Sequence, residues 1–388
     1  MPRIEWLVDL RGILLPLFTS RPRRYRNAVE KGLEKAFVSC RREKTFDLER
    51  DKVVIFSDHH KGTRDGADDF WVAERAYNAA LGYYLEAGHT LVVLGDGEEL
   101  WENASAEEVF RCYRETFDLE CDFHADDRYW RFFGNHDIRW KRRGLLAEQL
   151  AVQDLEVLES LKLRVIRGDA TEGLLFLVHG HQGTLFSDTL AALGAPAVRH
   201  IWGPWQRLKK RSLNTPARNY NLREHHETAM MNWAKRRRAP NEGQPVLISG
   251  HTHRPVFGER TQPWPSRPEA LREELEAARQ SEERSSEVPG LRAKLEHARA
   301  AVDYYDDPEP VDPPCFFNTG CCSFSDGDVT GVELAAGEIR LVRWSKFSGQ
   351  AEPEVLQCLP LFDVLRAVNA GVRLDPSVAC AHTPSDSD

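Results

Sequence analysis

Five short apolar runs, each delivered into a polar turn, constrain this 388-residue chain more than any other feature. Val53–Phe56 runs into Ser57, Asp58, His59 and His60, followed by Lys61-Gly62. LVVLG (91–95) meets Asp96, and YWRFF (129–133) meets Gly134, Asn135, His136 and Asp137. LLFLV (174–178) meets His179, Gly180 and His181, and VLIS (246–249) meets Gly250, His251, Thr252 and His253. Apolar runs this short, closed by turn residues, predict buried strands. Segments of helical composition at 69–86 and 104–118 separate the early ones. Such alternation predicts an α/β fold with largely parallel strands, in which ligands bind beyond the carboxyl ends. Here each of those ends carries Asp, Asn or His.

Those residue types suit one chemistry. Asp58 offers a hard oxygen and His60 a borderline nitrogen, a mixture fitted to Mn, Fe or Zn rather than Ca. Asp96 lies between two glycines, so its carboxylate can sit between two ions without crowding. The H-x-H pairs can reach neighbouring ions if the intervening backbone turns. His59 and His181 fall between those positions and read as spectators or supporting residues. Asn318 and Gly320 read as a turn, and Cys321-Cys322 as a buried structural pair.

The series D-x-H, G-D, G-N-H-D, H and G-H-x-H, in that order, resembles the calcineurin-like metallophosphoesterase superfamily across roughly residues 52–258 and 314–345. The resemblance implies a four-layer αββα sandwich with helical insertions and a dinuclear site at the strand ends. One metal would be held by Asp58, His60 and His253, its partner by Asn135, His179 and His251, with Asp96 bridging. His136 would contact the phosphate and protonate the leaving group, and Asp137 would orient His136. The implied activity is metal-dependent hydrolysis of phosphate esters, a bridging hydroxide attacking phosphorus in line. Two divalent ions are expected, Mn first, with Fe or Zn compatible. GDGEELWEN (95–103) and GHTHRPVF (250–257) are most similar to bacterial UDP-2,3-diacylglucosamine pyrophosphate hydrolases. That family carries Arg where this chain has His136, and Asp where it has His181. A phosphorylated small molecule, nucleotide-diphosphate-linked or lipid-linked, is the expected substrate. A nuclease or cyclic-nucleotide phosphodiesterase would share every ligand, and a non-catalytic metal scaffold for protein or membrane partners is the alternative from another class.

Charge separates the rest of the chain. The net charge of −9 argues against wholesale nucleic-acid binding. Residues 196–240 nevertheless hold eleven Arg or Lys against Glu224 and Glu227, with Trp202, Trp205, Tyr220 and Trp233 interleaved. This is read as a basic helical lid over 185–240 that attracts an anionic substrate, with Arg207, Lys209, Lys210 and Arg254 as substrate-binding residues. The aromatics could stack a base or seat in an anionic headgroup layer, which leaves nucleic acid open as a partner. Residues 1–50 read as a basic helical extension whose apolar face (Ile4, Leu7, Val8, Leu14, Leu15, Phe18) packs on the body or touches a membrane. Residues 51–258 and 314–345 form the expected catalytic domain, and 259–313 a charged helical hairpin. Residues 346–388 are a C-terminal segment with a disordered tail. The eight cysteines form no C-x-x-C pair and read as reduced thiols of a cytoplasmic protein, peripheral at most to the inner membrane face.

Overall fold

The expected runs become strands because each buries both faces. In chain order the strands are β1 (Glu43–Asp47), β2 (Val53–Phe56), β3 (Thr90–Leu94), β4 (Tyr129–Phe132), β5 (Val157–Leu158), β6 (Ser160–Arg167) and β7 (Ala170–Val178). They continue with β8 (Val246–Ser249), β9 (Pro255–Phe257), β10 (Arg260–Thr261), β11 (Phe316–Thr319), β12 (Val329–Ala335), β13 (Glu338–Trp344) and β14 (Glu354–Pro360). The helices are α1 (Pro22–Ser39), α2 (Glu74–Glu86), α3 (Ala106–Cys112), α4 (Arg114–Ala125), α5 (Leu145–Leu150), α6 (Tyr220–Arg236) and α7 (Leu361–Ala370). This computed structural model describes residues 22–65, 68–100, 105–183, 220–238, 243–258, 260–261, 275–280, 288, 313–324, 326–345 and 352–374.

Two seven-stranded sheets result, ordered β14-β13-β12-β2-β3-β4-β5 and β1-β6-β7-β8-β11-β9-β10. Side chains of β2 alternate between two cores, as the two-residue repeat of a strand requires. Val53 and Ile55 join Val92, Leu94 and Phe132 in a cluster shared with the second sheet's Leu177, Ile248 and Phe317. Val54 and Phe56 face the other way, onto Tyr77, Leu81 and Tyr84 of α2. On the second sheet, Phe176 meets Phe37 of α1 at 5.0 Å and Trp233 of α6 at 5.6 Å between ring centroids. Each such fully buried side chain contributes about 1.5–3 kcal/mol of transfer free energy.

The molecule is therefore α/β with two mixed sheets, and the expectation of largely parallel strands needs correction. Strands β2 to β5 run parallel, as do β7, β8 and β11. Strands β12, β13 and β14 are antiparallel, and so is the β6–β7 pair. The reason is local. Ala335 pairs with Glu338 across two residues, Ala336 and Gly337, with φ of 52° and 76°. A two-residue turn with both residues left-handed reverses the chain tightly and permits only an antiparallel partner. The parallel strands are the ones whose carboxyl ends carry the site.

Several elements lie where only flanking segments were expected. β1 is an edge strand of the second sheet, and α1 packs against α6. β14 extends the first sheet beyond residue 345, and α7 follows it with Leu361, Val364, Leu365 and Val368 buried. Among the described cysteines, Cys40, Cys112, Cys121, Cys315, Cys321 and Cys322 are free thiols. Cys358 is disulfide-bonded, which corrects the all-thiol reading; the absence of close spacing says nothing about pairs distant in sequence. Within the charged insertion, residues 275–280 are helical with Leu275 and Ala278 buried. Residues 1–21, 184–219 and the tail from 375 lie outside the described residues, and with them the N-terminal amphipathic face, Arg207, Lys209 and Lys210. Among the described residues no helix is long and apolar enough to cross a membrane.

Candidate metal centre

At the strand ends the backbone takes an uncommon conformation. Asp58, His60, Asp96, His251 and His253 all have positive φ, at 54°, 53°, 49°, 70° and 57°. Non-glycine residues pay for left-handed backbone, and such positions persist where the surrounding fold over-determines them, commonly at functional sites. The left-handed turns curl each ligand back over its own strand end. Asp58 N donates to Gly95 O (3.1 Å), His60 N to Asp96 O (3.0 Å) and Gly250 N to His179 O (3.0 Å), lacing neighbouring turns together. His251 N donates to Asp58 Oδ2 (2.8 Å), which ties the two sheets.

The convergence is tight. Asp58, His60 and His253 form one group with ligand atoms within 4.8 Å of one another, and Asp96, His179 and His251 form another. Asp96 Oδ2 lies 3.2 Å from His179 Nε2 and 3.9 Å from His60 Nε2. Asp58 Oδ1 lies 3.2 Å from His253 Nε2, which itself stands 3.1 Å from His60 Nε2. These Asp/His groups could bind a metal ion, and the state of their atoms fits one. Asp58 Oδ1, Asn135 Oδ1, His179 Nε2 and His251 Nε2 are buried without any hydrogen-bond partner. Leaving a buried polar atom unsatisfied costs about 1–3 kcal/mol. A cation in each group would satisfy the atoms that face it.

Two glycines make the approach possible. A Cβ on Gly134 would collide with the Asp96 carboxylate, and one on Gly250 would stand 2.5 Å from Asp58 Oδ2. These glycines of the G-N-H and G-H-x-H turns are steric requirements of the ligand cluster.

The outer partners set the imidazole tautomers. His179 Nδ1 donates to Leu94 O at 2.8 Å, which turns Nε2 inward. Glu99 Oε2 accepts from His136 Nδ1 at 2.6 Å and from His60 Nδ1 at 3.3 Å. Asp137 does not orient His136, contrary to the expectation from sequence. Its carboxylate accepts from Gly97 N (2.9 Å), Gly134 N (2.6 Å) and Arg131 (3.0 Å), clasping the turns that carry Asp96 and His136. The reason is backbone direction: Asp137 is fully buried beneath the turn, whereas His136 is part-exposed above it. Glu99 was visible in sequence as one of two adjacent acids after G-D-G. Adjacent residues of an extended segment point to opposite sides, so Glu98 goes down to Arg131 and Trp140 and Glu99 up to the imidazoles.

Other supports gave no sequence signal. Ser57 Oγ donates to Asp58 Oδ2 and meets Thr319 Oγ1 at 2.6 Å. Asn318 Nδ2 donates to Gly250 O (2.7 Å), so this residue steadies the H-x-H turn besides making its own turn at Gly320. His226 of α6 bonds Gly180 O at 2.8 Å and faces His251 at 5.0 Å. His59 is buried edge-on to Tyr77 at 4.5 Å, a core residue; His181 is buried 5.4 Å from His179. Cys321 and Cys322 are buried. Arg254 is largely buried and its guanidinium is taken up by Glu227 of α6.

Electrostatics shows what the cluster attracts. Burial opposes a charge on His60, yet the Glu99 hydrogen bond and the Asp96, Glu99 and Asp58 charges outweigh it and raise its pKa to about 9. At His179 burial is likewise overcome, by Asp96 and Asp58, and the pKa again reaches about 9. Burial, with the His226 and His179 charges, holds His251 neutral. In the metal-free protein two protons therefore occupy positions that a cation would take. Their contribution to metal-free stability is present below the ordinary histidine value of 6.5 and is lost as pH rises through about 9. The same protons compete with metal, so metal affinity is expected to rise with pH until about 9, with protons released on binding. Calorimetry in buffers of differing ionisation enthalpy counts those protons; zero release at neutral pH would contradict this charge assignment.

No protein-family model matches this chain, and no curated protein matches it.

Proposed function

We propose that this chain is a dinuclear metal-dependent hydrolase of phosphate esters, with its two sheets and flanking helices forming a four-layer αββα metallophosphoesterase sandwich. The observation that carries the reading is Asp96, whose Oδ2 lies within 4 Å of both His60 Nε2 and His179 Nε2. Asp58, His60 and His253 would hold one divalent ion, and Asn135, His179 and His251 the other, with Asp96 common to both. Two such ions, Mn best matching the mixed oxygen and nitrogen donors, would neutralise the phosphate charge and would supply a water nucleophile reactive at neutral pH.

The chain's own residues do the remaining work. Glu99 fixes the proton on His136 Nδ1, which leaves Nε2 as the nitrogen that serves the reacting oxygen. With Nδ1–H held by Glu99, His136 in its doubly protonated form would give its Nε2 proton to the leaving oxygen as the water oxygen bonds to phosphorus and the ester P–O bond breaks. The proton released by the attacking water would restore that form. A positioned acid of this kind contributes about 10²–10⁴-fold. Asp137 keeps the Gly97 and Gly134 turns in register, so that His136 and Asp96 hold their spacing. A phosphorylated small molecule, nucleotide-diphosphate-linked or lipid-linked, is the substrate class.

Hydrolysis of p-nitrophenyl phosphate, bis(p-nitrophenyl) phosphate and a nucleotide-diphosphate ester, with Mn added or chelated, tests this. Metal-dependent turnover of at least one ester is expected. No turnover of any of them, with two metals bound per chain by elemental analysis, would favour a non-catalytic metal scaffold instead.

A further inference from the structure

Beyond the metal cluster, the turn that leaves His136 carries a block of positive charge. Ile138–Lys141 forms one 3₁₀ turn, and Lys141, Arg142 and Arg143 follow in succession, all exposed. In a chain of net charge −9 this is a local excess of opposite sign. Among the described residues none of the three is ion-paired, whereas Arg42 pairs with Glu156 and Arg64 with Glu74. Three adjacent like charges repel one another, and an unpaired block of this kind draws anions from solution.

Lys141, the first residue of the block, is linked to the cluster through a chain of ring contacts. Lys141 Nζ stands 5.9 Å from the Phe133 ring centroid, Phe133 stands 6.0 Å from His181, and His181 stands 5.4 Å from His179. Buried Trp140 anchors the turn through Nε1 to Glu98 Oε2 at 2.6 Å, so the charges are presented from a fixed base rather than a loose loop.

We infer that Lys141, Arg142 and Arg143 are specificity-determining residues that recognise a second anionic group on the substrate, a phosphate or carboxylate separate from the phosphate held at the metal cluster. The inference rests on the phosphoesterase reading for its name but not for its measurement. A substrate with one anionic group engages the cluster alone; one with two bridges the cluster and the turn.

The test compares orthophosphate with glucose 1,6-bisphosphate as ligands of the Mn-loaded protein by calorimetry, alongside p-nitrophenyl phosphate turnover. The bisphosphate is expected to bind more tightly than orthophosphate by about tenfold at low salt, the excess shrinking as ionic strength screens exposed charges. The triple variant Lys141→Gln, Arg142→Gln, Arg143→Gln changes exposed side chains, so folding is retained. It should erase the bisphosphate preference while leaving orthophosphate affinity and p-nitrophenyl phosphate kcat unchanged. A preference that survives the triple variant, or that is absent from the wild type, overturns the inference. Absence of turnover on every ester would instead strike the phosphoesterase reading, and the binding comparison would still decide this one.

Discussion

Asp96→Asn is expected to abolish metal-dependent hydrolysis and to remove at least one of two bound metals. The substitution keeps the shape of the side chain and removes its charge. That charge is shared: Asp96 Oδ2 lies within 4 Å of both His179 Nε2 and His60 Nε2, and Oδ1 accepts from His136 N at 2.8 Å. A neutral amide in this place cannot offset two dications. Its NH₂ group would also point a donor at whichever side loses the oxygen. If the paired ions supply several kcal/mol of transition-state stabilisation, their loss lowers kcat by about three powers of ten or more. Elemental analysis and steady-state turnover of the same preparation check both halves. Retention of two metals with wild-type kcat would refute the bridging role, whereas retention of metals with lost turnover would confine Asp96 to the chemistry. His60 and His179 give a third readout. With the largest nearby negative charge removed, both should titrate below their metal-free value of about 9, measurable by NMR.

Arg131→Leu should give the largest loss of folding stability of any single change described here. Arg131 is 1 % exposed and lies under the metal turns, 2.6 Å from Glu98 Oε2 and 3.0 Å from Asp137 Oδ2. Nearby, buried Lys61 pairs with Glu120 at 2.6 Å, and Glu120 also accepts from Tyr129 at 2.8 Å. Removing the guanidinium strands two carboxylates in a dry interior, a change that costs about 3–5 kcal/mol when one partner of a buried pair is deleted. Burial already raises Asp137 to about 6, with Arg131 acting in the opposite direction. The variant relieves part of the cost by taking up a proton there. Urea denaturation should therefore show a lower midpoint in Arg131→Leu, with the deficit smaller at acid pH. The double variant Arg131→Leu, Glu98→Leu should recover part of the loss, because it also removes one of the stranded charges. An unchanged midpoint in Arg131→Leu would mean that water reaches this network and screens it.

The relation between these two residues and their sequence is instructive. Asp96 announces itself: an acid between glycines at the end of an apolar run has few structural uses. Arg131 does not, since it sits inside YWRFF, where a charge reads as an interruption of a strand. It belongs there because buried Glu98 arrives from the turn after β3 and buried Asp137 folds back from the turn that ends β4 itself. Charge balance in an interior is a property of the assembled neighbourhood. No window along the chain contains it.

Glu99 and Asp137 make the same point at closer range. Both are acids next to the ligands, and the sequence favoured Asp137 as the partner of His136 because the two are consecutive. Consecutive residues of a turn diverge, however, and the imidazole turned towards Glu99, thirty-seven positions away. The incorporation of β1 and α1 into the body, and that of α7, were likewise decided by which faces remained to be covered once the central strands had paired. What this sequence determines by itself is the set of strand ends and the residues placed on them, because apolar runs must be buried and turns must follow them. Which carboxylate orients which imidazole, and which charges neutralise one another below the site, was decided by tertiary structure, since those contacts join segments whose separation in sequence carries no information about their distance in space.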